Sequence, residues 1–127
     1  MFKTFRSPAP KVQLLHAALC IIWNIAGLWQ LSSDLQPIGP TASMAAIGLI
    51  IVLSVTLILG ERNNQPAPYI LASGLLALAA VSAIFGGFTK DSSLWPSELW
   101  RYAGIGVNSI GVVGFGFALA HIKYLKT

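Results

Sequence analysis

Acidic residues and cysteine are scarce in this chain, and charge of either sign is sparse. Of 127 residues only four are Asp or Glu and eight are Lys or Arg, so 9% are charged while 55% are hydrophobic. Soluble domains are about one-quarter charged, and the mean hydropathy of +0.72 lies well on the apolar side of them. The shortage of charge therefore excludes an ordinary soluble domain and predicts an integral protein of the lipid bilayer.

The single cysteine, Cys20, excludes an internal disulfide framework, and its place in an apolar run is typical of a buried, inert thiol. The sequence also lacks metal-ligand spacings, a phosphate-binding loop and a nucleophile with a neighbouring base. We therefore expect no metal site and no enzyme activity from this chain alone.

The chain contains long apolar runs. A helix that crosses about 30 Å of hydrocarbon needs about 20 apolar residues. Four such windows fit without overlap, near residues 12–31, 41–60, 69–88 and 100–121. They are too continuous for membrane strands, which alternate over about ten residues. The short connections predict a single domain, residues 1–127, folded as an all-α, up-down-up-down bundle of four transmembrane helices.

The distribution of Lys and Arg predicts the orientation of the bundle. Only Lys90 and Arg101 lie on the side away from the termini. The other six lie on the side of both termini: Lys3, Arg6, Lys11, Arg62, Lys123 and Lys126. Cytoplasmic segments carry such an excess, so both termini should be cytoplasmic, in a bacterial-type cytoplasmic (inner) membrane. This bias also accounts for the net charge of +4 without a nucleic-acid partner.

The loops contain turn formers and aromatic residues. Gly60 is expected to end the second helix in a left-handed cap, and residues 61–68 should then form a polar cytoplasmic hairpin. In the outer loop Trp95, Trp100 and Tyr102 are typical of an aromatic belt at the membrane surface, and a binding role for this cluster is the alternative.

None of the four windows contains Asp, Glu or Lys. Proton- or ion-coupled carriers usually keep an ionisable group inside the hydrocarbon, because the coupled charge needs a partner there. The sequence therefore argues against a coupled carrier.

Two asparagines and two histidines interrupt the apolar windows. Asn24 and Asn108 should lie at a similar depth, and we expect a hydrogen-bonded amide pair between the first and fourth helices, with a ligand or pore role as the alternative. His16 and His121 both belong to the inner leaflet, where they could ligate a b-type haem. An imidazole with a structural or interfacial partner is the simpler interpretation, so we expect no cofactor.

Small residues mark faces at which helices can approach closely. These candidate association residues are Ala79, Ala83 and Gly87 of the third helix and Gly104 and Gly111 of the fourth. The sequence leaves open whether they pack within one chain or between chains.

Three functional hypotheses follow. The first is a small accessory or structural subunit that packs within a homo-oligomer or a larger membrane complex. The alternative is an oligomeric channel or uncoupled carrier for a small solute or ion, lined by Asn24, Asn108, Ser54, Thr56 and Ser109. The third is a membrane anchor that handles b-type haem or a quinone through its histidines.

Overall fold

The computed structural model describes residues 7–125, and this part of the chain is helical. It contains the helices α1 (Ala9–Ser32), α2 (Met44–Arg62), α3 (Pro66–Thr89) and α4 (Glu98–His121), with short 3₁₀ turns at Ser92–Leu94 and Ile122–Leu125. All four α-helices are long and apolar enough to cross a membrane. This confirms the prediction of four helices of membrane-spanning length and composition.

Proline and capping residues shift the helix starts from the predicted windows. Pro66 begins α3 three residues before the predicted start at residue 69. Proline is tolerated there because an N–H in the first turn of a helix has no partner within the helix. In the same way α1 begins at Ala9, with Pro10 in its first turn. By contrast α2 begins late, because the Ser43 side chain caps it by accepting a hydrogen bond from the Ala46 N–H at 3.0 Å.

The predicted left-handed cap at Gly60 is wrong. Among residues 7–125 only Asp34 and Asn64 have positive φ angles, of 58° and 54°. Gly60 instead lies inside α2, where a Cβ atom would come within 2.7 Å of the Tyr69 backbone nitrogen. Glycine is therefore needed for close contact between α2 and α3. Because Gly60 does not end the helix, α2 continues to Arg62 and carries Glu61 within its last turn.

The four helices form a closed ring in which α1 and α3 each pack against both α2 and α4. At one end, here called the terminal end, Tyr69 bonds Gln13 and His121 faces Glu61. At the opposite, loop end, Gln36 donates to the Ser93 carbonyl at 2.7 Å and joins the two longer connections. Neighbouring helices therefore run in opposite directions.

The core fills the terminal half of the bundle. It consists of buried apolar side chains from three helices and the last turn: Leu53, Leu57, Tyr69, Ala72, Leu76, Ala118 and Leu125. Outside the ring large apolar side chains such as Ile22, Val52 and Phe85 are more than half exposed, at 62%, 61% and 69%. An apolar outer surface of this extent fits lipid rather than water.

Candidate functional site

A cavity of about 430 Å³ lies in the loop half of the bundle, and all four helices contribute to its wall. Its space comes from small side chains on α3: Ala79, Ala80, Ala83 and Gly86. The buried ring of Trp95 lines it from the loop before α4. His16 and Ala17 on its inner wall are buried while Ala79 and Ala83 are exposed, so the cavity reaches the outside along α3.

Three polar side chains stand together on the cavity wall. Asn108 Oδ1 of α4 lies 3.2 Å from His16 Nε2 of α1. One turn along α1, Cys20 Sγ lies 3.2 Å from the same Nε2 and 3.9 Å from Asn108 Oδ1. Asn108 Nδ2 donates to the Gly104 carbonyl at 2.9 Å, which uses one of its two hydrogens. The second amide hydrogen can serve a polar group in the cavity.

Cys20 and Asn108 compete for one ring nitrogen of His16. A base needs a lone pair for the thiol proton, yet the same His16 Nε2 faces both Cys20 Sγ and Asn108 Oδ1. Donation from Nε2 to Asn108 removes that lone pair. The tautomer of His16 therefore decides whether Nε2 donates to Asn108 Oδ1 or accepts from the Cys20 thiol.

The predicted hydrogen bond between Asn24 and Asn108 is not formed. Asn24 Nδ2 donates to the Cys20 carbonyl at 2.8 Å, and its Oδ1 accepts from the Ser43 backbone N–H at 3.0 Å. Ser43 precedes α2, where backbone N–H groups lack partners within the helix, and Asn24 supplies an acceptor. The two asparagines do line the same cavity, but Asn24 bonds the Cys20 carbonyl and the Ser43 N–H, while Asn108 bonds His16.

Aromatic rings form another part of the cavity wall. Trp23 packs edge-on against Trp100, with 6.0 Å between ring centroids, and lines the cavity beside Trp95. Trp95 is only 8% exposed, so it points inward, unlike the exposed Tyr102 that was also assigned to the aromatic belt. The wall thus combines flat apolar surfaces with a small polar patch.

Three of the predicted association residues, all of them glycines, lie against neighbouring helices of the same chain. Ala79 and Ala83 line the cavity. A Cβ atom on Gly87 would come within 2.7 Å of the Ile105 side chain, and one on Gly111 within 2.5 Å of the His16 ring. A Cβ atom on Gly104 would lie 3.4 Å from the Trp23 ring. The three glycines therefore allow close packing of α4 with α1 and α3.

A second polar cluster lies at the terminal end, and sequence reasoning missed its acidic member. Glu61, assigned to a polar loop, is 6% exposed, and its Oε1 lies 3.4 Å from Nε2 of the fully buried His121. Nδ1 of His121 is 2.5 Å from the Ser7 hydroxyl. The helix ends bring a carboxylate and an imidazole together inside the bundle.

Tyr69, Gln13 and Ser73 continue this cluster toward the middle of the bundle. The Tyr69 hydroxyl donates to Gln13 Oε1 at 2.6 Å, and Gln13 Nε2 donates to Ser73 Oγ at 2.7 Å. Ser73 Oγ in turn donates to the Tyr69 carbonyl at 2.8 Å. All three side chains are buried, and these bonds offset the free-energy cost of burying them.

The two histidines proposed as haem ligands lie in different clusters. His16 lines the cavity beside Asn108, while His121 lies between Ser7 and Glu61 at the terminal end. This arrangement does not place the imidazoles on opposite sides of one cavity, as ligation of a haem by both would require. Within residues 7–125 no group of three or more His, Cys, Asp or Glu residues could hold a metal ion.

Comparison with known proteins adds no relative to this description. No protein-family model, no curated protein and no solved structure matches the chain. The cavity with its polar patch and the buried cluster at the terminal end are the features from which function can be argued.

Proposed function

We propose that this chain is a small membrane protein that binds a small, mainly apolar solute in the loop-half cavity. The observation that carries this proposal is an interior space of about 430 Å³ with Asn108 and His16 on its wall. Ligand sites are typically apolar spaces of about 300 to 1,000 Å³ with a few placed polar groups. Asn108 and His16 would orient a carbonyl, hydroxyl or similar group of the solute, and no catalytic step is part of the proposal.

The packing favours a binding protein or carrier over an open channel through one chain. Buried side chains such as Leu57 and Tyr69 fill the terminal half, below the cavity. Thr56 and Ser109, considered as pore residues, donate instead to carbonyls of their own helices, at 2.9 and 2.8 Å. A solute bound in the cavity would therefore leave the way it entered unless the helices move.

The proposed orientation keeps both termini in the cytoplasm of a bacterial-type inner membrane. Lys11, Arg62 and Lys123 lie toward the terminal end, and Lys3, Arg6 and Lys126 fall outside the described residues. At the loop end Arg101 pairs with Glu98 at 2.5 Å and donates to the Gly87 carbonyl at 2.9 Å. The orientation rule counts Lys and Arg alone, so Lys90 and Arg101 stand as the two positive residues of the loop side against six on the terminal side.

A subunit role is the second candidate, and the outer face of α4 favours it. Gly106, Ser109 and Gly116 are exposed there, and a Cβ atom on either glycine would meet nothing within 4 Å. Small residues on a lipid-facing surface allow another transmembrane helix to approach closely. In this role the chain would form a homo-oligomer or join a larger complex, and Gly106→Leu with Gly116→Leu should then dissociate the assembly on size-exclusion chromatography.

Cys20 provides a direct test of the cavity, since it is the chain's only cysteine and lies on the cavity wall. We expect N-ethylmaleimide, which is small and mainly apolar, to label Cys20 in the purified protein, while a maleimide on a long polyethylene glycol should not. Ala83→Leu should slow labelling by N-ethylmaleimide severalfold, because the added side chain fills the cavity. The measurement is the rate of mass increase of the intact protein.

Ala18→Leu is the matched control, because Ala18 is exposed on α1 and does not line the cavity. It should label at the wild-type rate. Equal rates for wild type and both variants would contradict the proposed cavity, since filling it would then have no effect on access to Cys20.

A further inference from the structure

We infer that the solute held in the loop-half cavity is a single-chain amphipathic anion, with its apolar body inside the cavity and its acidic group at Lys90. This inference names the class of ligand, so it rests on the proposed function. Among the described residues that line the cavity, Lys90 is the only Lys or Arg, and none is Asp or Glu. Charge of one sign beside an apolar cleft attracts ligands of the opposite sign.

The Lys90 side chain folds back along α3 toward the cavity. Lys90 directly follows the last residue of α3. A Cβ atom on Gly86, which lines the cavity one turn earlier, would lie 3.4 Å from Cε and 3.8 Å from Nζ of Lys90. The apolar methylene groups of a lysine can cover such a surface while the ammonium stays in water. Because Lys90 is exposed, its ammonium lies at the mouth of the cavity.

No group in the described part of the chain neutralises this ammonium. Within residues 7–125 it takes part in no hydrogen bond or ion pair. A lysine near the end of a helix can bind the last carbonyls of that helix, but two of these carbonyls already have donors. The Gly86 carbonyl accepts from the Lys90 backbone N–H at 2.9 Å, and the Gly87 carbonyl accepts from Arg101 Nη1 at 2.9 Å. The charge of Lys90 is therefore available to a ligand.

The acidic side chains at the loop end do not line the cavity. Glu98 pairs with Arg101 at 2.5 Å. The Asp91 carboxylate accepts a hydrogen bond from a backbone N–H of its own loop at 2.9 Å, and Asp34 is exposed in the connection after α1. An anionic ligand in the cavity would therefore meet the charge of Lys90 without a carboxylate on the same wall.

The cavity is long enough for an extended apolar chain. Its lining on α3 runs from Leu76 to Gly86, about 15 Å along the helix axis at about 1.5 Å per residue. The rings of Trp23 and Trp95 add flat apolar surfaces to the wall. The volume of about 430 Å³ lies toward the lower end of the range for ligand sites, about 300 to 1,000 Å³, which favours one chain over the two of a phospholipid.

Protection of Cys20 from N-ethylmaleimide tests this ligand class in the purified full-length protein, because Cys20 lines the cavity. The probes are decanoate, decanol and decyltrimethylammonium, which share one chain length and differ in charge. At mildly alkaline pH, where decanoate is ionised, decanoate should slow labelling of the wild type most and decyltrimethylammonium least. The rate for each variant is compared with its own rate without probe, in one detergent, so that partition of the probes into micelles affects all variants alike.

Variants of Lys90 should change this order. Lys90→Gln should raise the decanoate concentration needed for half-protection about two- to fivefold, as loss of one exposed ion pair would, and leave protection by decanol unchanged. Lys90→Glu should favour decyltrimethylammonium over decanoate. Arg62→Gln, which removes an exposed positive charge at the terminal end, is the matched control and should behave as wild type.

Equal protection by the three probes in wild type, a comparison that needs no variant to fold, would overturn the inference and leave the cavity as a site for neutral solutes. Equal protection by decanoate in wild type and Lys90→Gln would do the same. Protection by added phosphatidylglycerol that exceeds protection by decanoate and is lost in Lys90→Gln would overturn the single-chain ligand and assign Lys90 to a lipid headgroup. If no probe slows labelling of Cys20 in wild type, the proposed solute binding fails, and this inference fails with it.

Discussion

The terminal and loop halves of this bundle are built from the same four helices yet differ in packing. In the terminal half Leu57 and Tyr69 are fully buried in a continuous core. In the loop half Ala79, Ala83 and Gly86 leave a cavity of about 430 Å³. Side-chain size along α3 explains the difference, since its first half carries the larger buried side chains. One half thus contains the packed core, and we propose that the other half holds a solute.

The largest expected effect is loss of core packing in the terminal half. Leu57→Ala should lower the free energy of unfolding by about 2 to 5 kcal/mol, because the cavity it leaves forfeits close contacts. Leu59→Ala, on the same helix but 53% exposed, should cost much less. Thermal unfolding in one detergent measures both, and equal losses would mean that the terminal half is not a packed core.

A smaller loss is expected where α2 and α3 touch. Gly60→Ala would place a Cβ 2.7 Å from the Tyr69 backbone nitrogen, which cannot move aside without displacing α3. We expect a cost of about 1 to 3 kcal/mol in the free energy of unfolding. Gly48→Ala is the control on α2, since its Cβ would meet nothing within 4 Å. If Gly60→Ala is as stable as Gly48→Ala, the close contact is not required.

Buried hydrogen bonds should contribute next. Tyr69→Phe removes the donor to Gln13 Oε1 and leaves a buried acceptor without that partner, at a cost of about 1 to 2 kcal/mol. Tyr102→Phe removes a hydroxyl from a side chain that is 54% exposed and should have little effect on the melting temperature. A wild-type melting temperature for Tyr69→Phe would contradict the role of this cluster.

The smallest effect concerns the loop end. Hydrogen bonds from the backbone N–H and side chain of Ser93 hold the pKa of Asp91 below its usual value of 3.8. A lowered pKa in the folded state means that the carboxylate stabilises the loop above its ordinary pKa, and that this stability is lost as pH falls through the lowered one. Asp91→Asn should weaken this acid dependence slightly in a melting series from neutral pH downward. An unchanged series would leave Asp91 without a role in the loop.

The apolar pattern alone predicted four helices of membrane-spanning length, and it singled out Asn24 and Asn108, which line one cavity. It did not predict their partners. Asn24 bonds the start of α2, and that contact depends on how the connection after α1 folds back. Small residues predicted close packing, but spacing alone could not show that Ala79 and Ala83 leave a space while Gly111 is filled by His16.

Glu61 shows where window-based reasoning fails. A hydropathy window ends at the last apolar residue, and Gly60 looked like a helix end, so the carboxylate was assigned to water. One further helical residue places Glu61 inside the bundle. Because neighbouring helices are antiparallel, α2 and α4 finish at the same end, which brings Glu61 close to His121. The combination of a carboxylate just beyond one apolar window and a histidine at the end of another was the available signal.

The central claim is that the loop-half cavity holds a small molecule, and the most direct measurement is mass spectrometry of what the purified protein releases. Wild type, Ala83→Leu and Ala18→Leu would be prepared in the same mild detergent, denatured and extracted. We predict a compound released by wild type and Ala18→Leu and lost from Ala83→Leu, in which the cavity is filled. Identical extracts from all three proteins would contradict the account.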